Sequence, residues 1–532
     1  MDKTKDLANY KVLITTSGIG SRIADIIDYT NKSLVVVGDK PAICHIVENY
    51  PEETTFVITL GHFGDHVQEF LQLCYPKRKF EFVEVINYEG PGSSLALSML
   101  SAKNYLNEPF IFHACDTIII GEKIPAPSYN WVGGFKSKDA TNYVSFDTIG
   151  RQVKRFHDKG MTIFDFIHIG IVGINSYKEF WKTLEDSLKK NPQDSTLNDV
   201  SAIKSLINLG ESFVNQEFEN WIDIGNSNSL TIARSKLGTN PNLLAKSAES
   251  ISIIGDNVYK FFSDTFIVRN RVDRSEYLKN LIPKIEGYSK HFYYYKYQSG
   301  TVLSKSRDTS VINDLLYWAN KNLWIRKDNS NIPEFREICR RFYLEKSKMR
   351  INLFLESRGI EDKKLIINNT EVPSTSKLLE LAEDILLDNL IESGFHGDFI
   401  LDNIIVDDKK FQLIDWRENF GGNLQFGDLY YDLAKLNHSL HINHDIVNRE
   451  LFFVELVDDK IECGILRNNS HVIMQKELEN FANTNELSIR KIRTLSSLIW
   501  LNMSPLHHHP FDLFLHYYGK LNLWRAINEL EI

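Results

Sequence analysis

Five aspartates crowd the stretch Phe395 to Gly422, "FHGDFILDNIIVDDKKFQLIDWRENFGG", where apolar runs predict buried strands. Asp398 is followed five positions later by Asn403, and Asp415 ends the apolar run "FQLI". Asp407, Asp408, Lys409 and Lys410 read as the hairpin turn between two strands, and Asp402 as facing solvent or substrate. A second set lies near the N-terminus, where "TTSGIGSR" (Thr15 to Arg22) joins a strand to a helix-like stretch. Gly18 and Gly20 would let backbone amides approach a phosphate, although a structural turn between strand and helix also favours glycine. Lys32 could neutralise phosphate charge, and "GPGSS", with Gly90, Gly92 and Ser93, is a second small-residue loop on which a base or sugar could pack. Asp116 ends the strand-like "PFIFHA" and Asp223 sits in "NWIDIGN". Such a pair suits Mg²⁺ on nucleotide phosphates, with helix caps or turn formers as the plainer reading.

The elements that must carry these groups alternate. From Tyr10 to about Ala233, "KVLITT", "TTFVITL", "KFEFVEVI" and "PFIFHA" read as strands, and "GDHVQEFLQLCY" and "SSLALSMLSAKNYL" as helices. That order predicts an α/β layered sheet with mainly parallel strands, whose C-terminal ends line a ligand crevice. Between Lys236 and Asp256 the chain turns rich in Gly, Asn, Pro, Ser and Ala, which predicts domains over 1–240 and 250–532. The second half begins with strand-like "SISIIG", "NVYKFF" and "TFIVRNR", a helix "RSEYLKNLIPKI" and an aromatic strand "HFYYYKYQSG". It becomes largely helical after Val311, an α+β pattern with a small β-rich lobe first. His507, His508 and His509 are adjacent in sequence, so their side chains diverge and read as packing or surface residues.

The 532 residues carry a net charge of -9 with 43% hydrophobic and 12% aromatic residues, a folded composition with no electrostatic call for nucleic acid. Five scattered cysteines form no C-x-x-C pair, which argues for a reducing compartment, and Cys115 beside Asp116 reads as core. No signal-like leader and no run of about 20 apolar residues is present, so a soluble cytoplasmic protein without membrane insertion is expected.

Residues 10–235 resemble the nucleotidyltransferases that activate sugar phosphates and phosphocholine-like alcohol phosphates, on Gly18, Gly20, Arg22 and Lys32-Ser33 of their signature loop. The resemblance implies that Arg22 and Lys32 contact NTP phosphates, that Gly90 to Ser94 hold the base, and that Asp116 and Asp223 bind Mg²⁺. "FHDKG" looks like the family's later Glu-Lys-Pro element, placing Lys159 on an acceptor phosphate. Thr15, Thr16 and Ser17, and Asp158 and Gly160, depart from the family pattern and blur the choice of base and acceptor.

The Asp398, Asn403, Asp415 spacing is that of protein kinases. "HGD" and "IDWREN" make residues 395–437 resemble the small-molecule kinases related to aminoglycoside phosphotransferases and choline or ethanolamine kinases, more loosely over 251–532. This implies Asp398 as catalytic base, Asn403 and Asp415 as Mg²⁺ ligands and His396 as a brace. Asp428 and Asp432 would tie the loop to a helix. Lys260 resembles the strand lysine that reaches ATP phosphates, with Glu276 as its helix partner. The family's glycine loop survives only as Gly255, and Tyr293 to Gly300 looks like the strand that bonds adenine.

The expected fold is thus an α/β nucleotidyltransferase domain with a Rossmann-like mixed sheet, followed by an α+β protein-kinase-like phosphotransferase domain. The expected activity is bifunctional: ATP phosphorylates a small alcohol, amino alcohol or sugar, and a second NTP, CTP favoured, is coupled to the new phosphate. An NDP-linked product for surface polysaccharide or lipid decoration would result. A sugar kinase joined to a sugar-1-phosphate nucleotidyltransferase, or a nucleotide-binding scaffold with a dead site, are the alternatives. Assembly into a homo-oligomer stays open.

Overall fold

The computed structural model describes residues 10–26, 28–239, 248–306, 308–408, 410–457 and 460–530. The N-terminal leader region (1–9), the centre of the expected linker (240–247) and Lys409 of the expected hairpin turn lie outside the described residues. Contacts divide the chain into two compact units, Met1–Val268 with Glu286–Tyr297, and Arg269–Ile285 with Gln298–Ile532.

The first unit is built on a nine-stranded sheet. Its order is Lys79–Glu84, Thr55–Leu60, Lys11–Thr15, Phe110–Ala114, Phe166–Ile174, Trp131–Phe135, Val214–Glu217, Gln152–His157, Ser145–Ile149. Lys11–Thr15 is third in that order and pairs in parallel on both sides, Leu13 opposite Val57 and Phe112. Side chains alternate across a strand, so one run feeds two cores. Val12 and Ile14 join the cluster of the Ala42–Val47 and Gly64–Cys74 helices, while Leu13 joins that of the Leu95–Ser101 and Tyr177–Lys190 helices.

The expectation of mainly parallel strands holds for the first four positions in that order and again where Val214–Glu217 pairs with Trp131–Phe135, and the remaining neighbours are antiparallel. Phe166–Ile174 runs antiparallel to both neighbours, and Ser145–Ile149 and Gln152–His157 form a hairpin, Ile149 opposite Gln152. The reason is local. Gly150 takes a left-handed φ of 61° in a two-residue turn, and no helix intervenes to force a crossover.

A four-stranded sheet, ordered Glu249–Ile254, Asn257–Phe262, Phe292–Lys296, Ile285–Tyr288, belongs to the same unit. Tyr259, Phe261 and Phe292 enter the cluster that holds Phe70 of the Gly64–Cys74 helix, which is why this sheet groups with residues before 240 rather than after 250. "TFIVRNR", expected as a strand, is instead the start of the Thr265–Ser275 helix. Asp264 Oδ1 accepts from Phe266 N at 2.9 Å, a capping bond that outweighs the β-branched run. The helix expected over "RSEYLKNLIPKI" gives way to turns ahead of Pro283.

In the second unit, Ile404–Asp407 and Lys410–Leu413 form a hairpin in which Asp407 pairs with Lys410. The Leu429–His441 and Phe511–Ile527 helices pack against the Ile489–Met503 helix, with Trp416 and Trp500 buried. A sheet ordered Thr370–Val372, Leu365–Ile367, Lys460–Ile465, Phe452–Val457 interrupts the expected helical run. Among the described residues, no helix is long and apolar enough to cross a membrane.

Candidate functional site

In the first unit the glycine loop leaves the C-terminal end of Lys11–Thr15. Buried Asn31 pins it, its amide donating to Thr16 O (2.8 Å) and His62 O (2.6 Å). Gly20 has a φ of 72°, which a side chain at that turn would strain. Lys32 Nζ forms a short ion pair with Asp116 Oδ2, and an Arg22 guanidinium nitrogen lies 4.0 Å from the same oxygen. Burial alone would raise the Asp116 carboxyl, but Lys32 and then Arg22 outweigh it and hold the acid below its usual range. Burial would likewise depress Lys32, and Asp116 reverses that. Both groups are therefore charged at neutral pH. Cys115 is buried and its thiol is pushed up to about 11.

The two acids, 107 positions apart, meet through a short ribbon. Thr117–Ile119 pairs antiparallel with Trp221–Asp223, setting Asp223 opposite Thr117, and Ile224 N donates to Asp116 O at 3.1 Å. Both carboxylates border one backbone position. A Cβ on Gly225 would stand 2.9 Å from Asp223 Oδ1 and 3.3 Å from Asp116 Oδ2. Asp223 also accepts from Tyr143 Oη (2.9 Å) and Gly225 N (2.9 Å). Burial and Asp223 push the Tyr143 hydroxyl well up, so it remains a donor.

Two adjoining cavities share Arg22 and Asp116. One, of about 360 Å³, is lined by the glycine loop, Lys32, Ser93 and Ser94; the other, of about 490 Å³, by Asp223, Tyr143, Lys159, His168 and Asp199. Gly90 and Gly92, with φ of 76° and 83°, shape the turn that presents Ser93, and Ser94 caps the Leu95–Ser101 helix through Leu97 N (3.1 Å). Sequence reasoning missed Tyr143 and the buried His168–Asp199 pair (2.9 Å). No residue spacing announces either, because Tyr143 meets Asp223 from a loop 80 positions away, and His168 of a strand meets Asp199 at the start of a helix.

In the second unit Asp398 Oδ2 accepts from Asn403 Nδ2 at 2.9 Å, and Asp398 Oδ1 lies 2.7 Å from Lys435 Nζ. Burial opposes ionisation of Asp398, yet Lys435, then His396 and Arg417, hold its carboxyl far below the usual range. The hairpin register sets Ile404 opposite Leu413, and Ile414 N donates to Asn403 O (2.9 Å), so Asn403 and Asp415 leave neighbouring strand ends. Asp415 has a φ of 58°, a left-handed turn that Asp tolerates better than most residues, and its carboxylate lies 4.0 Å from Arg271.

The loop itself is held by its backbone. Asp432 accepts from His396 N and Gly397 N, each at 2.7 Å, and from Trp324 Nε1 at 3.1 Å. Asp428 accepts from the Tyr343 hydroxyl (3.0 Å) and lies 3.1 Å from Lys491 Nζ. His396 is buried, which pushes its imidazole down to about 4 and keeps it neutral. Gly397 has a φ of 85°, and a Cβ there would sit 2.6 Å from Arg417 Cβ, so the position requires glycine.

Buried Arg274 donates to Phe395 O (2.6 Å), Leu424 O (2.8 Å) and, in a short bond, Arg417 O, tying both halves of the opening motif together. Sequence reasoning missed it and Lys435. Glu276 is exposed and pairs with Lys279 one turn on. Lys260 is buried within Asn257–Phe262, opposite Tyr293.

No family model and no curated protein matches the chain. Among solved structures it is similar to a UDP-glucose pyrophosphorylase complexed with UDP-glucose, at 16% identity over 43% of this chain and 97% of that one, TM-score 0.37. It is also similar to the CTP:phosphocholine cytidylyltransferase from Streptococcus pneumoniae (15%, 43% and 99%, 0.36). A third is the inositol-1-phosphate CTP transferase from T. maritima (15%, 44% and 98%, 0.34).

Proposed function

We propose that the first unit transfers a nucleotidyl group from an NTP, CTP favoured, to a small phosphorylated acceptor, and that the second unit makes that acceptor by phosphorylating a hydroxyl compound from ATP. The observation that carries the first half is the meeting of Asp116 and Asp223 at Gly225, with Lys32 and Arg22 on Asp116 beside a glycine loop. An acceptor phosphate oxygen attacks the α-phosphorus, the bond to the bridging oxygen breaks, and pyrophosphate leaves. Alignment and fixed positive charge suffice for such a step, so no covalent nucleophile is needed. Lys159, Tyr143 and Asp223 line the cavity where the acceptor phosphate would lie.

The second half is carried by the Asp398, Asn403 and Asp415 arrangement with its Lys435 pair. The substrate hydroxyl would be oriented by Asp398, attack the γ-phosphorus and pass its proton to that carboxylate as ADP leaves. The strongly ionised state of Asp398 suits late proton transfer better than early abstraction. Carboxylate and amide oxygens are hard donors that fit Mg²⁺, with Asp116 and Asp223 holding it in one site and Asn403 and Asp415 in the other. Bound there, Mg²⁺ would neutralise phosphate charge.

The acceptor itself is inferred to be anionic. Arg417 and Lys346 lie over the same Phe342 ring, at 5.1 and 5.0 Å. Burial, then Arg417 and Arg350, push Lys346 down to about 7, and Arg417 N bonds His396 O beside the proposed base (3.0 Å). Positive charge crowded in this way favours a hydroxyl compound bearing a carboxylate or phosphate over a cationic amino alcohol.

The test is ATP consumption across hydroxy acids, polyols, sugars and amino alcohols, followed by pyrophosphate release with each NTP. Asp398→Asn should abolish only phosphorylation and Asp116→Asn only nucleotidyl transfer. Loss of both activities in either variant, with the phosphorylated intermediate supplied, refutes the two-site reading.

A further inference from the structure

We propose that Asp65, His66 and His291 in the first unit form a binding site for a zinc-like divalent transition-metal ion, backed by Glu69. One donor atom from each of the three lies within 4.8 Å of the others. Around a tetrahedral metal with bonds of about 2.0–2.2 Å the donors stand about 3.3–3.6 Å apart, so side-chain rotations that close at most about 1.5 Å complete the set. His66 Nε2 already stands 4.0 Å from Asp65 Oδ1.

Three further features point to a ligand rather than to packing. First, His66 is 4% exposed, yet its Nδ1 is buried with no hydrogen-bond partner, a costly state for an imidazole that only packs. Its ring lies 4.3 Å from that of His291 at 55°, with no hydrogen bond between them. Second, Glu69 Oε1 accepts from His291 Nδ1 at 3.0 Å and Glu69 Oε2 from His291 N at 2.9 Å. That fixes the tautomer so that His291 Nε2 presents its lone pair, the carboxylate–histidine arrangement that supports metal-bound imidazoles. Third, Asp65 is 57% exposed on its side chain, giving an ion a path to two buried imidazoles.

Two imidazoles and one carboxylate, with a fourth position left for water, are a donor set for Zn²⁺ and its neighbours and a poor one for Mg²⁺. The ion would join the first turn of the Gly64–Cys74 helix to the turn before Phe292–Lys296, across 225 positions of sequence. Its expected role is therefore to clamp the four-stranded sheet to the helix, independent of either proposed reaction.

The experiment uses the full chain, stripped with chelator and titrated with Co²⁺ and then Zn²⁺. One equivalent of Co²⁺ should give the visible d–d absorption of a four-coordinate site, Zn²⁺ should abolish it, and Zn²⁺ should raise the unfolding midpoint by a few degrees. Asp65→Asn, at an exposed position that cannot cost the fold, should weaken Co²⁺ at least tenfold, and Glu69→Gln should weaken it 10–100-fold. No d–d band at equimolar Co²⁺, or a band that Asp65→Asn leaves unchanged, overturns the proposal.

Discussion

Gly225→Ala isolates the claim that Asp116 and Asp223 act as one unit. Gly225 lies outside the left-handed region, so alanine meets no left-handed strain, and the gain of about 0.4–1 kcal/mol through the unfolded chain offsets the cost of displacing Asp223. The added Cβ would stand 2.9 Å from Asp223 Oδ1 and 3.3 Å from Asp116 Oδ2. Carbon and oxygen in ordinary contact are about 3.4 Å or more apart, so Asp223 must retreat by roughly 0.5 Å while Asp116 barely moves. A 1 Å misplacement at a reacting centre costs about 10²-fold, so half of it costs about tenfold, or ~1.4 kcal/mol. Mg²⁺ tolerates little departure from octahedral geometry, which sets tenfold as the lower end of the expectation. The assay is pyrophosphate release with the phosphorylated acceptor supplied, alongside ATP consumption by the second unit and the unfolding midpoint. Nucleotidyl transfer should fall 10–100-fold while phosphorylation and stability hold. Full transfer activity in this variant would mean that the chemistry does not lie between the two carboxylates.

Lys435→Met should lower the phosphorylation kcat about 10–100-fold. Because Lys435 holds the Asp398 pKa down, its loss moves the acid limb of the kcat–pH profile to higher pH, and an unmoved limb would contradict the pairing. Arg274→Met strands buried carbonyls and should cost the second unit about 3 kcal/mol, a fall of roughly 6–12 °C in its thermal transition. Lys346 is cationic below about 7 and neutral above it, so the KM for an anionic acceptor should rise as pH climbs through that value while that of a neutral acceptor stays flat.

What could be seen in the sequence was what short spacing encodes. Asp398, Asn403 and Asp415 sit on one loop and one hairpin, so their separation in the chain already contains their geometry. Asp116 and Asp223 could be picked by residue type, but their meeting depends on the pairing of Thr117–Ile119 with Trp221–Asp223, which no local pattern states. Arg274 was hidden because its helix opens with the strand-like "TFIV", and Lys435 because a helix with nearly every residue buried has no polar face to mark it. The antiparallel half of the large sheet was obscured for a related reason. Phe166–Ile174 carries the same kind of apolar run as the parallel strands, while the short Gly150 turn marks only the Ser145–Ile149 and Gln152–His157 hairpin.

Both proposed sites rest on one electrostatic device, a half-open carboxylate paired with a nearly buried lysine. The side chains of Asp116 and Lys32 are 21% and 13% exposed, and those of Asp398 and Lys435 are 34% and 14%. A pair partly open to water contributes little to stability, because solvent screens its attraction while burial still taxes each charge. Fold stability therefore gives a weak reason for two such pairs. Chemistry gives a stronger one. In each case burial alone would raise the acid towards neutrality, and the lysine reverses that, so a full negative charge stands ready before any ligand arrives. At Asp116 that charge borders a cavity of about 360 Å³ that Gly18 and Gly20 also line, and at Asp398 it accepts from the amide of Asn403. Charge held ready beside hydrogen-bond donors is preorganisation, and the transfer of a phosphoryl or nucleotidyl group asks the protein for little else.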